Sequence, residues 1–272
     1  MTEEWPDRLV LFGAGKMGGA MAAGWLDGGL SPSSLTILEP NPSEDIARLA
    51  ASRGVALNPA DPAPPDVLAL AIKPQALDAV APGIAALAGA RTLVLSILAG
   101  KTIANLVDRL PSARTVVRAM PNTPAAIGRG VTAAWASPEA TAGQKRWTAR
   151  LLGAVGAFHW LDDEAAIDAV TAISGSGPAY VFALTEALAA AAESLGLPAE
   201  LAMSLARGTV EGAGELMRRE AETPPSILRR NVTSPGGTTA AALAVLQGEG
   251  GLDALMARAA AAARARAAEM AG

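Results

Sequence analysis

Three glycines near the start of the chain constrain its fold more than any other feature. Gly13, Gly15 and Gly18 are spaced G-x-G-x-x-G, after an apolar run over 9–12 and before an apolar, helix-forming run over 20–26. In a strand–loop–helix unit these glycines permit a sharp turn, close backbone approach to a pyrophosphate and tight helix packing. Helix-start N–H groups and the helix dipole then favour phosphate charge. We predict a dinucleotide site; the alternative is a plain tight turn, because the chain has 28 glycines.

Composition excludes several classes of function. The formal net charge of −4 gives no reason to expect nucleic acid or an anionic membrane as a partner. The absence of cysteine excludes disulfides, thiolate zinc sites and a cysteine nucleophile, and a single histidine without clustered ligands predicts no metal site. The acidic start MTEEWPDR does not resemble a signal peptide, and no apolar run reaches about 18 residues. We therefore expect a cytoplasmic protein.

The first part of the chain alternates between apolar strands and helices. Predicted strands cover 9–12, 35–39, 66–72, 92–97, 113–120, 131–136 and 157–161, and helices over 43–53, 75–87 and 138–152 lie among them. The run over 66–72 is continuously apolar, as expected for a parallel strand buried on both faces. This alternation predicts an α/β fold with a doubly wound parallel sheet, of the Rossmann type.

The pattern changes at Asp162, after which alanine dominates and no convincing strand follows. Helices are predicted over 163–173, 178–195, 199–221, 225–230, 238–247 and 251–270. We predict a dinucleotide-binding domain over 1–161 and an all-α domain over 162–272. Because such alanine-rich helices bury little alone, we expect their apolar faces to pack against a second copy of the chain.

Several polar residues follow the predicted strands at the sheet edge where α/β proteins bind ligands. Lys73, Asn122 and the pair Ala99–Gly100 should share this edge with the glycine loop, although Lys73 could equally be a solvated strand-end charge. Glu39 lies 21 positions after Gly18, close to the ~20 expected for the acid that binds the adenosine ribose. Its alternative role is only to begin a turn. We interpret His159, between Phe158 and Trp160, as structural rather than as a general base.

Two glycine-containing loops enter helices in the second half of the chain. They are SGSGP over 174–178 and SPGGTT over 234–239. Two glycines before a threonine-led helix form a nest of backbone N–H groups at the positive end of a helix dipole. The second loop therefore predicts a carboxylate or phosphate site, and an ordinary helix cap is the alternative.

These loops and the glycine motif together resemble the pyrroline-5-carboxylate reductases, nearly end to end. The shared motifs are FGAGKMG (12–18), AIKP (71–74), RAMPNTP (118–124), SGSGPAY (174–180) and, most specifically, NVTSPGGTT (231–239). The resemblance implies an NAD(P)H-dependent oxidoreductase that passes hydride from nicotinamide C4 to the imine carbon of Δ1-pyrroline-5-carboxylate, giving L-proline in the last step of proline biosynthesis. A protonated imine is already electrophilic, so positioning suffices without a metal or a strong base.

The resemblance also implies roles for individual residues. Thr239, whose hydroxyl would hydrogen-bond the ring nitrogen, and Lys73 are the expected catalytic residues. Substrate binding is expected of Thr171, Glu222, Ser234, Gly237, Thr238 and Thr239. Cofactor binding is expected of Phe12, Gly13, Ala14, Gly15, Lys16, Met17, Gly18, Glu39, Asn58, Ala71, Ile72, Lys73, Pro74, Ala99, Gly100 and Asn122.

The chain departs from the family pattern at Glu39-Pro40-Asn41, where members commonly have small hydroxyl residues, sometimes with a basic one, that accept NADPH. An acid there would repel the 2′-phosphate, so we predict NADH use equal to or better than NADPH use. The resemblance further implies a homodimer interleaved through the helical domain, with active sites drawn from both chains. Many members assemble such dimers into a decameric ring, which nothing in this sequence fixes.

Three other functions compete with this interpretation. A β-hydroxyacid dehydrogenase would need an acid/base lysine early in the second domain, but residues 164–182 contain no lysine or arginine. A non-catalytic nucleotide sensor would have no reason to keep the SPGGTT loop, although a fold alone cannot exclude it. Reduction of the six-membered imine homologue remains open, because one methylene gives only ~1–3 kcal/mol of discrimination.

Overall fold

The computed structural model describes residues 5–271, apart from the side chain of Ala271. Residues 1–4 lie outside the described residues. They belong to the acidic start of the chain, which is not expected to be a signal peptide. Contacts divide the chain into two units. We call residues 5–176 with 263–271 the sheet unit, and residues 177–262 the helical unit.

Eight strands form one sheet in the order β3-β2-β1-β4-β5-β6-β7-β8. Their bounds are β1 Leu9–Phe12, β2 Leu35–Leu38, β3 Ala56–Leu57, β4 Val67–Leu70, β5 Leu93–Ser96, β6 Thr115–Met120, β7 Gly130–Ala136 and β8 Gly156–Trp160. All neighbouring strands are parallel except β6 and β7, which are antiparallel. A parallel pair needs a crossover of about a dozen residues or more, and the connection from Met120 to Gly130 is too short for one.

Helices cover both faces of the sheet, which explains why β4 and β5 are buried throughout. The helices of the sheet unit are α1 Lys16–Asp27, α2 Glu44–Arg53, α3 Leu77–Leu87, α4 Ile103–Arg109, α5 Ala142–Gly153 and α6 Ala166–Val170. One core joins α1, α2 and α5 to the sheet around Trp25, whose indole N–H donates to the Leu151 carbonyl at 2.8 Å. The other core joins α3 and α4 to the opposite face around Ile84 and Leu106.

The remaining helices lie in the second part of the chain. They are α7 Gly177–Ser194, α8 Ala199–Arg219, α9 Pro225–Asn231, α10 Thr238–Leu246 and α11 Leu252–Ala271. Among the described residues of the helical unit, the buried hydrophobic ones are only Ala189, Ala202 and Ala206. Large apolar side chains such as Phe182 and Leu184 are exposed instead. The helical unit therefore has little core of its own.

The helical stretch Ala166–Ser194 is long and apolar enough, by length and composition, to cross a membrane. The sequence did not predict such a stretch, because no uninterrupted apolar run reaches about 18 residues. Only 11% of its most apolar window is buried within the chain. The same exposure is expected of a helix whose partner is a second protein chain, so length and composition do not distinguish the two environments.

The predicted domain boundary at Leu161 lies where strands end, since β8 ends at Trp160. The contact units divide the chain later, at Ser176, and include 263–271 with the sheet. The boundary at 161 therefore stays a prediction. Between the two points lie α6 and a π-helical turn, Thr171–Gly175, where the sequence predicted a helix over 163–173 followed by a loop.

Candidate active site

The glycine loop between β1 and α1 has the shape of a pyrophosphate cradle. Gly13 has φ +94°, and a Cβ there would lie 2.8 Å from the Ala71 carbonyl carbon. A Cβ on Gly18 would overlap the Gly13 carbonyl oxygen, whereas Gly15 faces open space. Gly15 is also the N-cap of α1 and provides no side-chain cap, so the first N–H groups of the helix are available to a ligand. The local geometry fits a dinucleotide.

Glu39 lies directly after β2 and points its carboxylate at this loop. Oε2 accepts a hydrogen bond from the Ala14 N–H at 2.9 Å, and Oε1 accepts one from the Asn41 N–H at 3.1 Å. The side chain also lines a cavity of about 770 Å³ with Gly15, Lys16 and Asn41. A carboxylate here can accept hydrogen bonds from ribose hydroxyls and repels a phosphate in the same place.

The Asn58 side chain forms hydrogen bonds with the main chain of Glu39. Its Oδ1 accepts from the Glu39 N–H and its Nδ2 donates to the Glu39 carbonyl, both at 2.8 Å. The predicted contact between Asn58 and the cofactor stays a prediction.

The AIKP segment lies beside the glycine loop, because Gly13 packs on Ala71 and Ile72. Lys73 is exposed and is the N-cap of a 3-10 turn over Pro74–Ala76. Gly100 follows β5 with φ +73°, and a Cβ there would lie 2.8 Å from the Cβ of Met270. The structure thus brings the AIKP segment to the glycine loop, whereas Gly100 packs against the end of α11.

Asn122 is buried and bridges two segments. Its Oδ1 accepts from the Val131 N–H at 2.8 Å, and its Nδ2 donates to the Ser174 carbonyl at 3.0 Å. The side chain therefore ties the start of β7 to the π-helical turn, and its expected contact with the cofactor stays a prediction. π-Helical turns occur often at functional sites, and no local sequence pattern indicated this one.

Sequence reasoning also missed an ion cluster at the end of β6. Arg118 is 3% exposed, and its guanidinium contacts Glu164 Oε1 and Asp168 Oδ1, each at 3.3 Å. Glu164 Oε1 also accepts from the Ile103 N–H at the start of α4 at 2.8 Å. The available signal was an arginine inside the otherwise apolar run 116–120, together with two acids one helical turn apart at 164 and 168.

The SPGGTT loop forms the start of α10 in the helical unit. Gly236 has φ +71°, and a Cβ on Gly237 would overlap the Ser234 hydroxyl. Gly237 is the N-cap and offers no side-chain cap, so the N–H groups of Thr238 and Thr239 point out of an open helix end. Thr239 is half-buried and Thr238 is exposed. This geometry agrees with a site for an anionic group.

The remaining candidate residues are more scattered. The hydroxyl of Thr171, the first residue of the π-helical turn, donates to the Ile167 carbonyl of α6 at 2.8 Å, and Glu222 is exposed after α8. His159 is exposed on the edge strand β8, five strands from β1. No group of three metal-ligating side chains occurs within 5–271.

Two family matches cover most of the chain. Residues 164–270 match the family described as pyrroline-5-carboxylate reductase dimerisation, and residues 8–100 match the family described as NADP oxidoreductase, coenzyme F420-dependent. The pyrroline-5-carboxylate reductase of Pseudomonas aeruginosa is 41% identical over 97% of both chains.

The chain belongs to the pyrroline-5-carboxylate reductase family.

Solved structures agree with this membership. A pyrroline-5-carboxylate reductase from Coxiella burnetii has a TM-score of 0.88 at 34% identity, covering 98% of this chain and 99% of its own. The Plasmodium falciparum pyrroline carboxylate reductase with NADP bound has a TM-score of 0.81 at 28% identity, covering 97% and 98%. The predicted family, the fold class and the expectation of an oxidoreductase are confirmed. The individual roles of the site residues stay predictions.

Proposed function

We propose that this reductase-family chain catalyses the NAD(P)H-dependent reduction of Δ1-pyrroline-5-carboxylate to L-proline. The observation that carries the proposal is the uncapped, glycine-led start of α10, which offers N–H groups to a carboxylate within the family's signature loop. Family membership over 97% of the chain supports it, as does the dinucleotide cradle of the sheet unit.

The substrate carboxylate binds the N–H groups of Thr238 and Thr239, where the helix dipole favours negative charge. The hydroxyls of Ser234 and Thr238 line the same helix start. Thr239 hydrogen-bonds the ring nitrogen, which fixes the orientation of the imine. Positioning of two reactants can lower a barrier by ~7–11 kcal/mol, so the reduction of a protonated imine needs no strong general base.

The glycine loop and the start of α1 would hold the pyrophosphate of the reduced dinucleotide, and Glu39 would hold its adenosine ribose. When bound, its nicotinamide supplies the hydride that the imine carbon accepts. Ala71 and Ile72 line the nicotinamide side, and the ammonium group of Lys73 lies at the same edge. NADH serves at least as well as NADPH, because Glu39 places a negative charge at the ribose.

The chain works as a homo-oligomer, as the match to a dimerisation family supports. The proposed unit is a homodimer formed through the helical unit, acting in the cytoplasm with neither nucleic acid nor a membrane as partner. Assembly of dimers into a decameric ring is the larger form proposed.

Thr239 provides the test. We expect wild-type protein to oxidise NADH and NADPH with pyrroline-5-carboxylate. Thr239→Val should lower kcat by about 10²–10⁴-fold, the range expected for the loss of one side chain positioned for general acid–base catalysis. Thr239→Ser, which keeps the hydroxyl, should recover most of that loss. Parallel assays with the six-membered imine decide between the two ring sizes. Cofactor binding without turnover of either imine would contradict the proposal.

A further inference from the structure

The end of β3 has an unusual backbone. Asn58 follows Leu57 with φ +50°, the left-handed region, and is the one non-glycine residue with positive φ between residues 5 and 271. Its N–H still donates to the Ile37 carbonyl at 2.8 Å, as in the parallel pair of β2 and β3. Asparagine enters this region more readily than most residues, because its short amide can hydrogen-bond locally.

The pairing of β3 with β2 ends after Leu57, and the Asn58 side chain makes the next two hydrogen bonds to the chain that follows β2. Oδ1 accepts from the Glu39 N–H and Nδ2 donates to the Glu39 carbonyl, each at 2.8 Å. One amide thereby pairs with both main-chain polar groups of a single residue just after the strand ends. Short, two-point contacts of this kind fix a position more firmly than one bond.

The residue held in this way is the one whose carboxylate reaches the glycine loop. With the Glu39 main chain fixed by Asn58, Oε2 lies 2.9 Å from the Ala14 nitrogen and Oε1 lies 3.1 Å from the Asn41 nitrogen. A shift of this main chain by a few tenths of an ångström would weaken both contacts, because hydrogen bonds weaken steeply with distance and angle.

We propose that Asn58 is a positioning residue for cofactor specificity, which holds the Glu39 carboxylate at the ribose site by clamping the Glu39 main chain. The proposal rests on the proposed function for the identity of the cofactor. It differs from a direct contact between Asn58 and the nucleotide, since here Asn58 acts entirely through Glu39. The two alternatives give different results once Glu39 has lost its carboxylate.

Two substitutions separate the effect of the two Asn58 side-chain hydrogen bonds from the effect of backbone strain. Asn58→Gly removes both side-chain bonds and tolerates φ +50°. Asn58→Asp keeps the size and the acceptor but cannot donate to the Glu39 carbonyl, and it adds a negative charge whose own effect is measured in the Glu39→Ser chain. Each is made in the wild-type chain and in a Glu39→Ser chain. Thermal unfolding of all variants shows whether they are folded, and Asn58→Asp remains informative if the glycine variant is too unstable.

The measured quantity is the ratio of the NADPH to the NADH dissociation constant, from quenching of tryptophan fluorescence. In the wild-type chain, Asn58→Gly should lower this ratio by about tenfold, the equivalent of one net hydrogen bond. In the Glu39→Ser chain the same change should alter the ratio less than about twofold, because coupled residues are non-additive. In steady state, the KM for NADH should rise while kcat stays near wild type.

Three results would overturn the inference. The first is an unchanged ratio in Asn58→Gly. The second is an equal change of the ratio in both Glu39 backgrounds for either substitution, which indicates direct contact, and the third is a wild-type preference for NADPH. Because the ratio is measured by binding, it tests Asn58 even if pyrroline-5-carboxylate is not turned over, and failure of the proposed function is therefore a separate result.

Discussion

The proposed cofactor preference of the sheet unit depends on one residue, Glu39. The Glu39 carboxylate accepts hydrogen bonds from two backbone N–H groups, one of them in the glycine loop. No ion pair to Glu39 occurs among the described residues, so its negative charge has no cationic side-chain partner. This charge is the basis of the proposed preference for NADH.

Replacing Glu39 should therefore reverse the preference. We expect Glu39→Ser to raise kcat/KM for NADPH and lower kcat/KM for NADH, changing their ratio by about tenfold or more, since each 1.4 kcal/mol is a factor of ten. Steady-state kinetics with both cofactors measures this ratio. A large wild-type preference for NADPH would contradict the predicted role of Glu39.

Arg118 has a structural task that is separate from cofactor choice. Its buried guanidinium neutralises part of the charge on Glu164 and Asp168, which are each about four-fifths buried. We expect Arg118→Met to lower the free energy of unfolding by about 3 kcal/mol, because two carboxylates lose their common partner. Chemical denaturation measures the loss. Arg53→Met, which breaks an exposed ion pair with Asp27, is the control and should cost less than about 1 kcal/mol. Equal effects would contradict this role of Arg118.

At the scale of elements, the unit of β1, glycine loop and α1 combines a packing task and a binding task. Gly18 permits the close approach of α1 to the loop, while Gly15 leaves open space in front of the helix start. The same motif therefore contains one glycine that the packing of α1 requires and one, Gly15, that we propose the cofactor requires.

Alanine at each glycine should separate the two tasks. Gly18→Ala should lower the melting temperature, because its Cβ overlaps the Gly13 carbonyl, which is backbone and cannot move aside cheaply. Gly15→Ala, at φ −67°, should leave the melting temperature within about 2 °C and weaken NADH binding by at least about tenfold. Calorimetry and fluorescence titration measure the two effects. Unchanged NADH affinity in Gly15→Ala would count against the proposed pyrophosphate position.

The sequence predicted the elements whose signal is local. Buried strands such as β4 are continuous apolar runs, and α1 follows a recognisable glycine pattern. The two residues of β3 were missed because their pairing with β2, and not their own composition, makes them a strand. The sequence analysis predicted a parallel sheet and was wrong for β7, which is antiparallel to β6. The short connection between these two strands leaves no room for a crossover helix. The Asn58 clamp joins residues 19 positions apart and has no local signal.

At the scale of the whole molecule, the helical unit has more apolar surface than it buries. Phe182 is 64% exposed and Leu184 is 50% exposed on α7, while Leu205 and Met217 are exposed on α8. Exposed apolar patches of this kind mark interaction sites. The match of 164–270 to a dimerisation family identifies the partner as another protein chain, in agreement with the expectation from the alanine-rich sequence.

A charge on this surface should dissociate the oligomer. We expect Phe182→Glu to weaken self-association by at least about 30-fold, the cost of a central interface residue. Sedimentation velocity over a range of concentrations measures it. Ile127→Glu, at a 76% exposed apolar side chain of the sheet unit, is the matched control and should leave association unchanged. An oligomer that persists in Phe182→Glu but not in Ile127→Glu would place the interface on the other unit.

The chemistry of the whole enzyme is tested most directly by the fate of the transferred hydrogen. Wild-type protein is given pyrroline-5-carboxylate and NADH that carries two deuterium atoms at nicotinamide C4, and the proline formed is analysed by mass spectrometry and NMR. We expect L-proline with one deuterium on the former imine carbon, and equal amounts of proline formed and NADH consumed. Proline without deuterium, or consumption of NADH without proline, would contradict direct hydride transfer to the imine.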